Sequence, residues 1–228
     1  MIIHQLYTKC LSESAYYIES NKEVAIIDPL RDIDVYIEMA TKSHSKIKFI
    51  FETHFHADFV SGHVELAQRT GATIIYGPKA QPNFDFYSGT DLELFILGEI
   101  SIQLLHTPGH TLESSCFLLK NSNQENHCIF TGDTLFVGDV GRPDLAVKSD
   151  DLSQEDLASM LYDSIQTKIL PLDDNVIVYP AHGSGSACGK NIGSETFSTI
   201  GEQKAQNYAL QSISRDKFIQ EVTSVNQH

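Results

Sequence analysis

The segment 53–59, Thr-His-Phe-His-Ala-Asp-Phe, constrains this chain more than any other stretch. The run 47–53 is apolar and rich in β-branched and aromatic residues, which predicts a buried strand that ends at this segment. Because alternate residues of an extended segment point to one side, we expect His54, His56 and Asp58 to converge on one point. Imidazole and carboxylate groups are ligands of divalent transition metals, so the segment predicts a metal site.

Three further strand-like runs end in a histidine or an aspartate. These residues are His110 in Thr-Pro-Gly-His-Thr, Asp133 in Thr-Gly-Asp-Thr and His182 in Tyr-Pro-Ala-His-Gly. A single His-x-His pattern is weak by itself, since exposed histidines are common. Four strand ends that each deliver a metal-binding side chain make a much more specific pattern.

The order His-x-His-x-Asp, His, Asp, His resembles the metallo-β-lactamase superfamily over roughly residues 1–210. The resemblance implies an α/β fold, the αββα sandwich, with every ligand loop along one edge of the paired sheets. The predicted strands and helices fall into two similar halves, which agrees with this architecture. We expect one domain over residues 1–228, with 212–228 a tail or a truncated linker to an absent rhodanese region.

Residue 59 separates the subfamilies. Hydrolases such as glyoxalase II usually carry a histidine there that helps to hold a second metal, whereas Phe59 has no lone pair to donate. A full second site of that kind cannot form, so a mononuclear centre is predicted. The segments 54–62 and 141–144 resemble the persulfide dioxygenases, most closely the bacterial branch fused to rhodanese-type sulfurtransferase domains.

In the persulfide dioxygenases one Fe(II) is held by two histidines and one aspartate, which implies His54, His110 and Asp133 here. Two imidazoles and one carboxylate on one face of an octahedral ion leave three positions open, as in non-haem Fe(II) oxygenases. A tetrahedral zinc with the same ligands would keep one free position, which suits hydrolysis. The prediction of iron rests on the resemblance and on Phe59. Ligand spacing does not establish it.

Other polar residues are expected near the metal without holding it. His56, Asp58 and His182 are assigned to this surrounding layer, although all three would be ligands in a two-metal hydrolase. Arg142 is a candidate to bind a carboxylate or phosphate of the thiol substrate through its planar guanidinium group. The alternative for Arg142 is a local ion pair with Asp144 that has no substrate role.

Tyr179 and Cys188 are further candidates for the substrate pocket. A tyrosine that ends a strand more often packs in the core, and the reactivity of Cys188 depends on exposure and on a lowered pKa. Gly183 stands where the family commonly has aspartate. The thiol that carries the persulfide therefore stays open among glutathione, coenzyme A and bacillithiol.

Composition excludes several classes of protein. The 228 residues are 41% hydrophobic and carry a formal net charge of −14, which argues against non-specific nucleic-acid binding. No apolar window approaches the roughly 18 residues of a membrane span, and the N-terminus lacks the pattern of a signal peptide. We expect a cytoplasmic protein, a homo-oligomer as is common in the family, whose other partner is a sulfurtransferase (rhodanese) domain or protein.

Three functions are compatible with these features. The favoured one is an Fe(II)-dependent oxidation of a low-molecular-weight thiol persulfide by O₂, giving sulfite and free thiol in sulfide detoxification. The second is a glyoxalase II-like thioester hydrolase that attacks its substrate with a metal-activated hydroxide. The third is a non-catalytic sulfur-binding or redox-sensing domain that uses the metal or Cys188.

Overall fold

Two six-stranded sheets face each other in the computed structural model, which describes residues 1–144 and 152–224. The first sheet contains, in spatial order, β1 (Ile2–Thr8), β2 (Glu13–Ser20), β3 (Glu23–Ile27), β4 (Lys46–Phe51), β5 (Thr73–Tyr76) and β6 (Tyr87–Ser88). The second contains, from its opposite edge, β7 (Leu94–Leu97), β8 (Ile100–His106), β9 (Ser115–Lys120), β10 (Asn126–Gly132), β11 (Ile177–Pro180) and β12 (Ser198–Thr199). Within these described ranges, no helix is long and apolar enough to cross a membrane.

Helices cover the outer face of each sheet. Those on the first sheet are α1 (Asp34–Lys42) and α2 (His63–Thr70), and those on the second are α3 (Gln154–Ser164), α4 (Ile200–Gln206) and α5 (Arg215–Thr223). A π-helical turn extends α3, and a short 3₁₀ helix, Tyr208–Leu210, follows α4. Separate apolar cores lie beneath the helices of each sheet and between the two sheets. This layering confirms the predicted α/β class and the αββα sandwich.

The C-terminal segment differs from the sequence-based expectation. Residues 212–228 were expected to form a tail or linker, but the structure has helix α5 over Arg215–Thr223. Its Phe218 and Val222 are buried against α3 and the second sheet. Burial of each such side chain contributes about 1.5–3 kcal/mol, which explains why this polar-looking segment packs as a helix. Residues 225–228 lie outside the described part of the chain.

The strand pairing brings the metal-binding loops to one edge. β3, β4 and β5 run parallel in the first sheet, and β10 and β11 run parallel in the second. Backbone hydrogen bonds join the two sheets at this edge, from Ser115 N–H to the Thr53 carbonyl (2.8 Å) and from Ser14 N–H to the Ala181 carbonyl (2.7 Å). The loops that follow β4, β8, β10 and β11 therefore meet at one place.

Candidate metal centre

His54, His110 and Asp133 form a buried group at this edge, with ligand atoms that all lie within 4.8 Å of one another. Asp133 Oδ2 is 3.4 Å from His110 Nε2 and 3.8 Å from His54 Nε2. Asp133 Oδ2 is also buried without a hydrogen-bond partner. A buried carboxylate oxygen without a partner is costly unless a cation completes its environment. The donor set and this free oxygen fit a divalent metal ion.

Hydrogen bonds orient both histidines of the group. His110 Nδ1 donates to the backbone carbonyl of Arg142 at 2.8 Å, which leaves the lone pair of its Nε2 free. Thr53 Oγ1 donates to Asp28 Oδ2 at 2.8 Å and therefore accepts from His54 Nδ1 at 2.9 Å. The Nε2 atoms of both rings are thus available to the metal, and the partners of their Nδ1 atoms hold the rings in place.

Electrostatics favours the metal-binding forms of these side chains. Burial lowers the pKa of His54 well below its ordinary value, so the ring is neutral. Burial alone would raise the pKa of Asp133, but the neighbouring His182 and His54 outweigh it and the pKa falls well below its ordinary value. A neutral imidazole and an ionised carboxylate are the forms that bind a metal.

The His56 ring lies 4.3 Å from the His54 ring, but its Nε2 faces two carboxylates outside the three-residue group. Its Nε2 is 3.1 Å from Asp28 Oδ1 and 3.5 Å from Glu52 Oε2, and its ring packs on Phe59 with centroids 4.3 Å apart. Burial would lower the pKa of His56, but the charges of Asp28 and Glu52 contribute to raising it to about 10. His56 therefore lies beside the centre as a cation that neutralises two buried carboxylates.

His182 links Asp133 to two further carboxylates. Its Nδ1 donates to Asp133 Oδ1 at 2.8 Å, while its Nε2 is 2.8 Å from Asp58 Oδ2 and 2.6 Å from Glu13 Oε2. Glu13 is fully buried in β2, and burial raises its pKa to about 7. His182 and Asp58 thus lie next to the three-residue group, and His182 binds the Asp133 oxygen that faces away from His54 and His110.

A cavity of about 380 Å³ opens onto the centre. His54 and His110 lie in its wall together with Asp58 and Cys188, and apolar side chains such as Leu112 supply most of the remaining surface. Such a mixture of apolar wall and a few polar groups is typical of a small-molecule site. Cys188 thus lies in the wall of the cavity next to the centre.

Arg142 and Tyr179 do not line this cavity. The Arg142 guanidinium pairs with Asp144, with Nε 3.0 Å from Oδ1, which is the alternative that the sequence left open. The ring of Tyr179 stacks on Phe130 in the core between the sheets, with centroids 5.5 Å apart. Arg142 contributes to the centre through its backbone carbonyl, a role that no side-chain pattern could reveal.

Sequence reasoning missed Glu13, Glu52 and the role of Thr53. Glu13 lies in β2, far from any motif, and faces His182 across an isolated β-bridge. The one local signal was a charged residue at the start of a strand that is otherwise mostly apolar and aromatic. Glu52 and Thr53 precede the first histidine directly, but Asp28, which accepts from Thr53, and His63, which faces Glu52, come from other segments.

We expect Thr53→Val to weaken metal binding about tenfold to a hundredfold. Valine is close in shape to threonine but cannot relay the hydrogen bond between Asp28 and His54. The measurement is affinity for a divalent metal ion by competition with a chelator. Thr41→Val is the matched control, because the Thr41 hydroxyl bonds only the carbonyl of its own helix. Equal affinities in the two variants would remove this role from Thr53.

Comparison with known proteins places the chain in a family. Residues 8–182 match the family model described as metallo-beta-lactamase superfamily, and the chain belongs to that superfamily. Among curated proteins, it is 30% identical over 184 residues to a probable hydroxyacylglutathione hydrolase, glo2, of Schizosaccharomyces pombe, covering 79% of this chain and 66% of that protein. It is 28% identical over 218 residues to the hydroxyacylglutathione hydrolase GloC of Haemophilus influenzae, covering 86% and 91% of the two chains.

Solved structures show the same fold. The metallo-beta-lactamase from Staphylococcus aureus superposes with a TM-score of 0.89 at 35% identity, over 98% of this chain and 67% of that chain. The structure of ETHE1 from Myxococcus xanthus superposes with a TM-score of 0.83 at 28% identity, over 99% and 92% of the two chains. The chain spans only 66% and 60% of the two fission yeast hydrolases that it matches.

Proposed function

We propose that this protein is a mononuclear non-haem Fe(II) persulfide dioxygenase. One thiol persulfide, one O₂ and one water give sulfite and the free thiol. The observation that carries the proposal is the position of His56. A two-metal hydrolase would use His56 as a ligand, whereas here it faces Asp28 and Glu52 and leaves two histidines and one aspartate. The similarity to the ETHE1 structure supports the persulfide dioxygenase branch of the superfamily.

His54, His110 and Asp133 would hold the metal. Fe(II) held by these residues would supply the chemistry that activates dioxygen towards a persulfide sulfur. The protein contributes orientation and charge: Thr53 and the Arg142 carbonyl hold the histidine rings, and His182 holds Asp133. The apolar wall of the cavity, which includes Leu112, would exclude water around the small thiol.

Residues next to the centre would handle protons. The His182 ring lies between Asp133, Asp58 and Glu13, so a proton on Nε2 can be shared with either of two carboxylates. Asp58 is partly exposed at the cavity and can pass a proton to solvent. This path would carry the protons released with sulfite without using a metal ligand.

A thioester hydrolase is the second candidate, because the curated relatives at 28–31% identity are hydroxyacylglutathione hydrolases. Such an enzyme would need a metal-activated hydroxide, for which a second metal and a further ligand at His56 would help. Asp28 and Glu52 hold His56 in another direction, and Phe59 offers no donor. These observations favour the dioxygenase over the hydrolase.

The deciding experiment measures both reactions on one preparation. Protein purified without oxygen and loaded with iron is expected to consume O₂ and release sulfite when given glutathione, coenzyme A or bacillithiol persulfide. Hydrolysis of lactoylglutathione should be much slower. Thioester hydrolysis faster than persulfide oxidation, or sulfite release that continues without O₂, would contradict the proposal. Comparison of the three persulfides identifies the thiol carrier.

A further inference from the structure

Glu113 is a buried carboxylate in the wall of the cavity that opens onto the centre. The residue is only 8% exposed, and its Oε1 accepts a hydrogen bond from Phe55 N–H at 3.0 Å. Among residues 1–144 and 152–224, Oε2 has no hydrogen-bond partner and the carboxylate forms no ion pair. A charge with this burial costs free energy unless a cation or further hydrogen bonds compensate it. A cationic group on a bound molecule would do so.

The carboxylate of Glu113 is held in one place by its surroundings. Glu113 precedes β9, and its carbonyl accepts from Ser115 Oγ at 3.1 Å. The preceding turn is closed by Ser114 Oγ, which lies 3.0 Å from the backbone nitrogen of Thr111 and 2.7 Å from its hydroxyl. The bond from Phe55 N–H then ties the carboxylate to the loop after β4. The negative charge therefore stays at the cavity wall and does not turn out to solvent.

The cavity offers acidic groups and, among the residues that the structure describes, no lysine or arginine. Its acidic residues are Asp58 and Glu113. Asp58 already faces His182, whose Nε2 is 2.8 Å from Asp58 Oδ2. Arg142 was the sequence candidate for binding an anionic carrier, but its guanidinium pairs with Asp144 and does not line the cavity. A carboxylate or phosphate in the cavity would be repelled by Glu113, whereas an ammonium group would be attracted.

Apolar side chains next to Glu113 suit a short hydrocarbon chain. Phe55 and Leu112 both line the cavity and are partly exposed there. Leu112 is fixed because its carbonyl accepts from His106 Nε2 at 2.9 Å. The wall therefore combines an apolar surface with a single carboxylate that has no cationic partner, a pattern that recognises a small amphipathic cation.

We propose that this cavity selects persulfides whose carrier has a protonated amine near the sulfur, and that Glu113 binds this ammonium group. The inference rests on the proposed persulfide dioxygenase function and narrows its substrate class to aminothiol persulfides. The sulfur end would lie at His54 and His110. The short carbon chain would contact Phe55 and Leu112, which places the ammonium group beside Glu113 Oε2.

The test compares the persulfides of three thiols of similar size, cysteamine, 2-mercaptoethanol and 3-mercaptopropionate. Their short carbon chains end in an ammonium, a hydroxyl and a carboxylate group, respectively. With iron-loaded protein, we expect kcat/KM for O₂ uptake to be about tenfold higher for cysteamine persulfide than for mercaptoethanol persulfide, and lowest for mercaptopropionate persulfide. Anaerobic calorimetry with the three parent thiols should give the same order of affinity without turnover.

Glu113→Gln and Glu65→Gln form the matched pair. Glutamine keeps an oxygen that can accept from Phe55 N–H but removes the charge, so the preference for the amine over the hydroxyl compound should fall from about tenfold towards equality. Glu65 is exposed on α2 outside the cavity, so Glu65→Gln should keep the preference.

Two outcomes would overturn the assignment of Glu113. One is a wild-type protein that prefers the mercaptopropionate compound or does not discriminate among the three. The other is a preference for the amine that survives in Glu113→Gln. Absence of O₂ uptake with all three persulfides would instead contradict the dioxygenase function, and the order of the thiol affinities would still decide whether Glu113 binds an ammonium group.

Discussion

Replacing His110 by alanine is expected to remove nearly all bound iron from the protein. In the proposed centre His110 supplies one of two imidazole ligands, and its Nε2 lies 3.4 Å from the free oxygen of Asp133. Loss of a group that merely supports a ligand costs about tenfold to a hundredfold in affinity, so loss of the ligand itself should exceed about a hundredfold. Elemental analysis after anaerobic purification and desalting measures the effect, and oxidation of the persulfide should disappear with the metal.

His127→Ala is the matched control for this variant. His127 lies in β10, the strand that Asp133 directly follows, but outside the cavity at the centre. It should retain about one iron per chain and full activity. If His110→Ala held as much iron as His127→Ala, the assignment of the ligands would be wrong.

Gly132→Ala is expected to destabilise the metal-free protein by about 2–5 kcal/mol. Gly132 has a φ of +53°, in the left-handed region, and a Cβ there would lie 2.6 Å from Thr53 Cβ. The left-handed backbone costs about 1–2 kcal/mol for a residue with a side chain, and the overlap adds about 1–3 kcal/mol. Because Thr53 orients His54 and Gly132 precedes Asp133, iron affinity should fall as well.

Gly71→Ala separates the two causes of the lost stability, the left-handed backbone and the overlap of the added Cβ. Gly71 ends helix α2 with a φ of +73°, but no atom lies within 4 Å of the position that a Cβ would take. It should therefore lose only the backbone contribution, about 1–2 kcal/mol, and keep its iron affinity. Urea unfolding of both variants measures the difference. Equal losses would mean that contact between Gly132 and Thr53 does not matter for the site.

Local patterns in the sequence predicted individual strands and helices and the candidate ligands that follow them, and the family resemblance implied how the two sheets are arranged. The apolar run before His54 predicted a strand, and the structure has β4 over Lys46–Phe51. Helix α3 begins with a capping box between Ser153 and Asp156, a pattern that is visible in the local sequence. Such features depend on neighbouring residues in the chain, because strand alternation and helix capping are local interactions.

Structural features that depend on contacts between distant residues could not be predicted from local sequence patterns. The short strands β6 and β12 and the helix α5 have weak local patterns and are stabilised by packing. Alternation along an extended segment predicted that His54 and His56 point to the same place. The two rings lie 4.3 Å apart, but the loop is not extended there and His56 Nε2 faces Asp28 and Glu52.

The sequence by itself determined the architecture and which histidines and aspartates lie at its metal-binding edge, because each follows a strand whose pattern is local. Tertiary structure alone decided which of them face one another. Glu13 and His182 are distant in the chain, yet their side chains lie 2.6 Å apart, and the thiol of Cys188 lies within 4.8 Å of the ligand atoms of His182 and Asp58. The physical reason is that burial makes charge pairing obligatory, and only the packed sheets determine which charges are buried together.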